Sequence, residues 1–250
     1  QEIAGTSTTN FYILNVSKGT INQTLEVTSL ITLNASTNPL VINSGTFKLS
    51  SASTITPFTN GANAELNSNK CLWNNGGTIN YGNFLWYNGG ILRLSAGTIN
   101  SGIATNNHIV YWNSGRFIIE GGVLNVAGAI RPNSGTSIGY YTQHGGTVTV
   151  CTSGSTNIDR GAFEINSGVP FTMSGGSIVV RRASSNATAD VIISSSTSVV
   201  TGGTLQIGDT STPANQTIRV NSVVPVFNIM VNNTNSPTAR LVTNNLTVKN

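Results

Sequence analysis

Charge is what this 250-residue chain has least of: 12 basic and 8 acidic residues, 8% of the sequence. Coiled coils and helical bundles draw on Glu, Lys, Arg, Leu and Ala in bulk, and that supply is missing. Net charge is +4 and the pI about 9.3, which reflects scarce carboxylates rather than a basic face. Four Lys and eight Arg are scattered, and only Arg181 and Arg182 are adjacent. Binding driven by counterion release needs a clustered basic surface, so no nucleic-acid partner is expected. No stretch approaches the roughly 18–20 unbroken apolar residues of a membrane helix, so no membrane span is expected either. No basic and apolar leader follows Gln1, so any secretion signal would lie outside this sequence. The two cysteines, Cys71 and Cys151, form neither a disulfide framework nor a metal-binding spacing.

What is abundant is small and polar. Asn (33), Thr (33), Ser (28) and Gly (27) together make 121 residues, nearly half the chain. A disordered segment would be poor in β-branched and apolar residues, yet the apolar fraction is 38%. An ordered, weakly charged, all-β protein remains.

One element recurs: a small polar residue, one or two glycines, then alternating apolar residues. It appears at Asn43-Ser-Gly-Thr-Phe-Lys-Leu49, Asn88-Gly-Gly-Ile-Leu-Arg-Leu94 and Asn113-Ser-Gly-Arg-Phe-Ile-Ile119. It returns at His144-Gly-Gly-Thr-Val-Thr-Val150, Ser174-Gly-Gly-Ser-Ile-Val-Val180 and Thr201-Gly-Gly-Thr-Leu-Gln-Ile207. Each copy reads as a tight turn feeding a short strand, because glycine accepts positive φ and the following residues alternate with period two. Turn glycines at 77, 97, 122, 146, 176 and 203 are separated by 20, 25, 24, 30 and 27 residues. A second series, Gly90, Gly115 and Gly135, interleaves with them. A turn returning in phase about every 25 residues predicts a coil with several corners, each rung stacking about 4.8 Å above the last. The expected fold is an all-β, right-handed parallel β-helix (β-solenoid) of about ten rungs, a single domain over residues 1–250. Handedness follows the general preference of parallel crossovers. At that spacing Cys71 and Cys151 would lie some three rungs, about 14 Å, apart, too far for a disulfide.

A longer period also shows. Phe11, Leu25 and Leu30 correspond to Phe227, Leu241 and Leu246, each at an offset of 216. Either these are ordinary rungs of one coil, or the chain is a slice of a tandem array whose next unit starts at residues 227–250. The phrase Phe227-Asn-Ile-Met-Val-Asn-Asn233, followed by Leu241-Val-Thr-Asn-Asn-Leu-Thr-Val248, resembles the repeats of large surface adhesins of gliding bacteria exported by the type IX route. The segment from Phe11 to Leu49 is similar, including its closing Asn43-Ser-Gly-Thr-Phe. The resemblance covers about the first 50 and last 35 residues and carries no catalytic residues. It implies a secreted, extracellular, β-rich stalk or filament at the bacterial cell surface, in contact with glycans or solid surfaces.

Aromatic residues precede several of the turns: Trp73-Asn-Asn-Gly-Gly, Trp86-Tyr-Asn-Gly-Gly, Trp112-Asn-Ser-Gly and Tyr141-Thr-Gln-His-Gly-Gly. If the phase holds, Trp73, Trp86, Tyr87, Tyr111, Trp112 and Tyr141 gather near one corner on successive rungs. They would form either an aromatic ladder closing the core or an exposed row on which sugars stack, with Arg93 or Arg116 as hydrogen-bond donors. Catalysis is not expected. Glycan-cleaving β-helices need paired or clustered carboxylates, and Glu120, Glu164 and the Asp159-Arg160 pair are the nearest approach to one. His108 and His144 stand apart, and no nucleophile elbow, phosphate loop or zinc signature occurs.

The sequence therefore predicts a structural and adhesive extracellular module without metal or cofactor, its partners being surface glycans and neighbouring repeats or identical subunits end to end. The alternatives are a self-assembling filament subunit and a polysaccharide-active β-helix enzyme.

Overall fold

The structure, a computed structural model, describes residues 1–58, 64–82, 85–186 and 188–250. Among these the regular structure is entirely strand, and every strand pairing is parallel. The chain winds as a three-sided β-solenoid of about ten turns.

One full turn illustrates the plan. Gly115–Ile119 lies on the first face, Val123–Val126 on the second and Ile130–Pro132 on the third. The next turn repeats it with Gly139–Gln143, Thr147–Val150 and Phe163–Ile165, each paired to its counterpart below. Longer strands such as Lys70–Tyr81 and Phe171–Val180 run through the corner from the first face into the second. On the second face Thr78, Thr98, Val123, Thr147, Ser177 and Thr204 stack in register. These are the residues just after the glycines at 77, 97, 122, 146, 176 and 203, so the uneven sequence spacing is the register of the coil.

The corner between first and second faces explains why glycine recurs there. Gly97, Gly122, Gly146, Gly176 and Gly203 all have φ between +68° and +90°. A Cβ on Gly97 would stand 2.2 Å from the Gly77 carbonyl oxygen, and one on Gly176 would stand 2.4 Å from that of Gly145. Both conformation and space demand the absent side chain. In the second glycine series the register differs from the sequence reading. The rung above Gly115 is met by Gly139, not Gly135, and Gly135 sits in an outlying turn where a Cβ would meet nothing within 4 Å.

Inward rows fill the coil. Phe47, Leu72, Leu92, Phe117, Tyr141 and Phe171 stack on the first face, and Ile79, Ile99, Leu124, Val148, Ile178 and Leu205 on the second. Two inward positions at the glycine corner are polar. Asn74 Nδ2 donates to the carbonyls of Gly77 (2.9 Å) and Thr98 (3.0 Å), and its Oδ1 accepts from the Gly77 amide (3.1 Å). Gln143 likewise bonds the carbonyls of Gly145, Gly146 and Ser177. Buried amides are tolerated because they answer backbone groups the corner would leave unpaired.

The segment opening at Phe227 continues the coil, Asn228–Val231 pairing in register with Thr204–Ile207. Leu25 lies on the first face, opposite Phe47, whereas Leu241 lies on the third, opposite Val220. At that pair the 216-residue offset equates strands of different faces. Cys71 on the first face and Cys151 beyond the second are buried, free thiols, which burial pushes up to about 11 and about 12.

Candidate functional site

The six aromatic residues do not form one row. Asn-Gly-Gly marks two different corners: Asn75-Gly76-Gly77 turns the chain from first to second face, whereas Asn88-Gly89-Gly90 turns it from third to first. A ring placed the same few residues before the motif therefore lands on different sides of the coil.

Trp86, Tyr111 and Tyr141 are each 1% exposed and point inward, so the expectation of an exposed glycan-stacking row fails for them. Trp86 stacks on Tyr81 with centroids 4.2 Å apart, and Tyr141 on Phe171 at 5.4 Å. Tyr111, Phe117 and Phe163 join Tyr141 through edge-on and tilted contacts. The Tyr141 hydroxyl donates to Gln143 Oε1 (2.8 Å), and the Tyr111 hydroxyl donates to the Glu164 carbonyl (3.2 Å). Burial raises both phenols well above the ordinary tyrosine range. These rings carry the core.

Trp73 points outward on the first face, but its ring is covered. Lys48 on one side lies 4.3 Å from its centroid and Arg93 on the other lies 3.9 Å away. The indole Nε1 donates to Ser95 Oγ (2.8 Å). Ion pairs extend the stack at both ends: Lys48 to Glu26 (2.8 Å), and Arg93 to Glu120 through two bonds of 3.0 and 2.7 Å. The result is a continuous outward ladder, Glu26–Lys48–Trp73–Arg93–Glu120. Hydrogen bonds from Lys48 and Ser50 hold the Glu26 carboxyl below the usual range. Burial works to raise Glu120, but hydrogen bonds from Arg93 and Ser95 outweigh it and leave that carboxyl lowered. Trp73 can offer a ligand its edge and not its face. A shorter copy of the arrangement places Arg116 4.7 Å above the Tyr140 ring.

Tyr87 and Trp112 make a third group. They are half-buried, edge to face at 6.1 Å, with Tyr87 on the outer third face and Trp112 just beyond it. Sequence spacing missed Glu26, Lys48 and Glu120 as companions of Trp73, because only the register places residues about one rung apart side by side.

Glu120, Glu164 and Asp190 are each bonded within the protein. Glu120 lies past the first face and Glu164 on the third, so they do not confront each other across a cleft. Glu164 binds Arg160 Nη1 and the Gly161 amide, both at 2.9 Å. Fully buried Asp190 accepts from Arg219 and from the amide and hydroxyl of Ser184. Asp159 lies exposed on the loop beside Arg160. Among the described residues no group of three or more His, Cys, Asp or Glu is placed to hold a metal ion. His144 Nδ1 lies 2.7 Å from Ser174 Oγ on the outer surface. His108 Nδ1 accepts from the Ala129 amide (2.8 Å), and burial pushes its pKa down to about 3. It is a neutral structural acceptor at physiological pH. No protein-family model, curated protein or solved structure matches this chain.

Proposed function

We propose that this chain is a structural and adhesive module of a repetitive bacterial cell-surface adhesin, working outside the cell as a stiff rod that holds contact surfaces toward glycans or solid surfaces. The observation carrying the reading is the continuous parallel coil itself: about ten turns stacked in register, cored by apolar rows and faced mostly by uncharged side chains. By the rise per rung such a rod is on the order of 48 Å long. Glu26, Lys48, Arg93 and Glu120, on and beside the first face, are spent on one another in the ladder around Trp73, as suits a surface that displays rather than reacts.

Size-exclusion chromatography with light scattering, followed by electron microscopy of the same sample, tests the reading. A 26.1 kDa monomer of rod shape is the expected result. Fibres that lengthen with protein concentration would replace the adhesive module with a self-assembling filament subunit.

A further inference from the structure

The second face carries an open groove of about 440 Å³, away from the Trp73 ladder and the Tyr87–Trp112 pair and bordered by Tyr81, the stacking partner of Trp86. Its floor is an amide ladder. Asn80, Asn100 and Asn125 occupy the same outward position on three successive rungs. Asn125 Nδ2 donates to Asn100 Oδ1 and Asn100 Nδ2 to Asn80 Oδ1, both at 2.9 Å. Each amide link spends one N–H and one lone pair. By the inventory of the amide group, a second N–H and a second lone pair remain on the central residue.

The wall is built from two loops at the corner between second and third faces. Loop 102–107 is stiffened from within, Asn107 Oδ1 accepting from the amides of Ile103 (3.0 Å) and Ala104 (2.9 Å). Residues 151–156, from two rungs away, clasp it: Asn106 Nδ2 donates to Thr156 Oγ1 (2.7 Å), the Thr156 amide to Asn106 Oδ1 (2.8 Å), and Thr105 Oγ1 to the Ser153 carbonyl (3.2 Å). This rigid wall holds Ile103 at the groove, 72% exposed. Arg181 also lines the groove, its charge balanced by Asp209 at 2.8 Å.

We infer that this groove is a binding site for a neutral oligosaccharide chain lying along the solenoid axis. Three amides one rung apart present donor and acceptor together, as neighbouring sugar hydroxyls require. Ile103 supplies an apolar patch for the carbon-bound hydrogens of a ring, and the paired Arg181 adds donors without net charge. The inference rests on the proposed adhesive function and gives it a place on the molecule that the aromatic row does not.

The test is titration of the full chain, followed by amide NMR, with cellohexaose, chitohexaose and laminarihexaose as probes. The expected result is binding of at least one, with shifts at Asn80, Asn100, Asn125 and Ile103 and an affinity unchanged between about 0.05 and 0.5 M salt. Asn100→Ala should weaken binding about tenfold, as expected for hydrogen bonds lost at a polar site. Ile103→Ser, at an exposed position that leaves the fold intact, should weaken it severalfold. Asn244→Ala, in the separate ladder to Asn221, should leave it unchanged. Binding that both groove variants leave untouched would overturn this site while leaving glycan adhesion standing. So would shifts confined to Trp73, Tyr87 or Trp112, or a steep salt dependence. Failure of all three probes on a monomeric rod would also overturn it.

Discussion

Two corners of this coil obey opposite rules. Between first and second faces the connection scarcely varies: Ile119 leads to Val123, Gln143 to Thr147, Met173 to Ser177 and Val200 to Thr204. Between second and third faces it varies widely. Val126 is followed by the strand at Ile130, but Val150 by the strand at Phe163 and Val180 by that at Val191. The first corner is packed with backbone close against backbone, leaving no room for a methyl group at Gly97 or Gly176, and Asn74 and Gln143 only bond it from inside. The second is held by side chains, with Asn107, His108, Asn186 and Asp190 bonding local amides. Backbone contact fixes length, whereas side-chain capping lets length drift. The tight turn at Ala127 and Ala129 is what allows loops 102–107 and 151–156 to meet across it. Variation at one corner thus builds the groove, and constancy at the other keeps its floor in register.

The largest way to break the contrast is Gly97→Val. It forces a β-branched residue to a φ of +76° with its Cβ against the Gly77 carbonyl. A loss of about 3 kcal/mol or more is expected by urea unfolding, or no folded protein at all. A Gly-Ser pair inserted after exposed Ile158, in the variable corner, should instead cost less than about 1 kcal/mol in the same assay, since lengthening a loop costs little.

The next effect depends on pH. His108 is held neutral far below its unfolded pKa of about 6.5. Between that value and about 3 the unfolded chain binds a proton the folded chain refuses, so stability is full above pH 6.5 and falls as pH drops through this window. The slope reaches about 1.4 kcal/mol per pH unit. His108→Gln should flatten that part of a stability profile measured by urea titration at stepped pH, even if it lowers the plateau.

Smaller still is Trp73→Ala. It interrupts an outward ladder of exposed cation–π contacts worth about 0.5–1 kcal/mol each, and thermal unfolding should register a modest loss. Gly135→Ala, in open space, should change stability by no more than about 0.5 kcal/mol. A large effect there would mean that glycine does more in this chain than relieve crowding.

The same contrast explains what could be read in advance. The glycine corner was legible because from Gly97 onward its positive φ and close backbone contact favour glycine, so 20, 25, 24, 30 and 27 in the sequence are also the steps between Thr78, Thr98, Val123, Thr147, Ser177 and Thr204. The aromatic site was not. The turn before which Trp73 and Trp86 both stand serves two corners, and nothing local says which. The ladder around Trp73 and the groove over Asn100 were hidden for a further reason. Their members lie 20 or more residues apart and become neighbours only once the rung lengths are known.

Because each turn touches chiefly the turns directly before and after it, this molecule behaves thermodynamically as a line of coupled units rather than a single body. Its free energy of unfolding is a sum of nearest-neighbour terms, and cooperativity reaches only as far as those terms carry it. Amide hydrogen exchange should then show a gradient rather than a plateau, slowest around Phe117 and Tyr141 at the middle of the stack and faster toward both outer turns of the 250-residue chain.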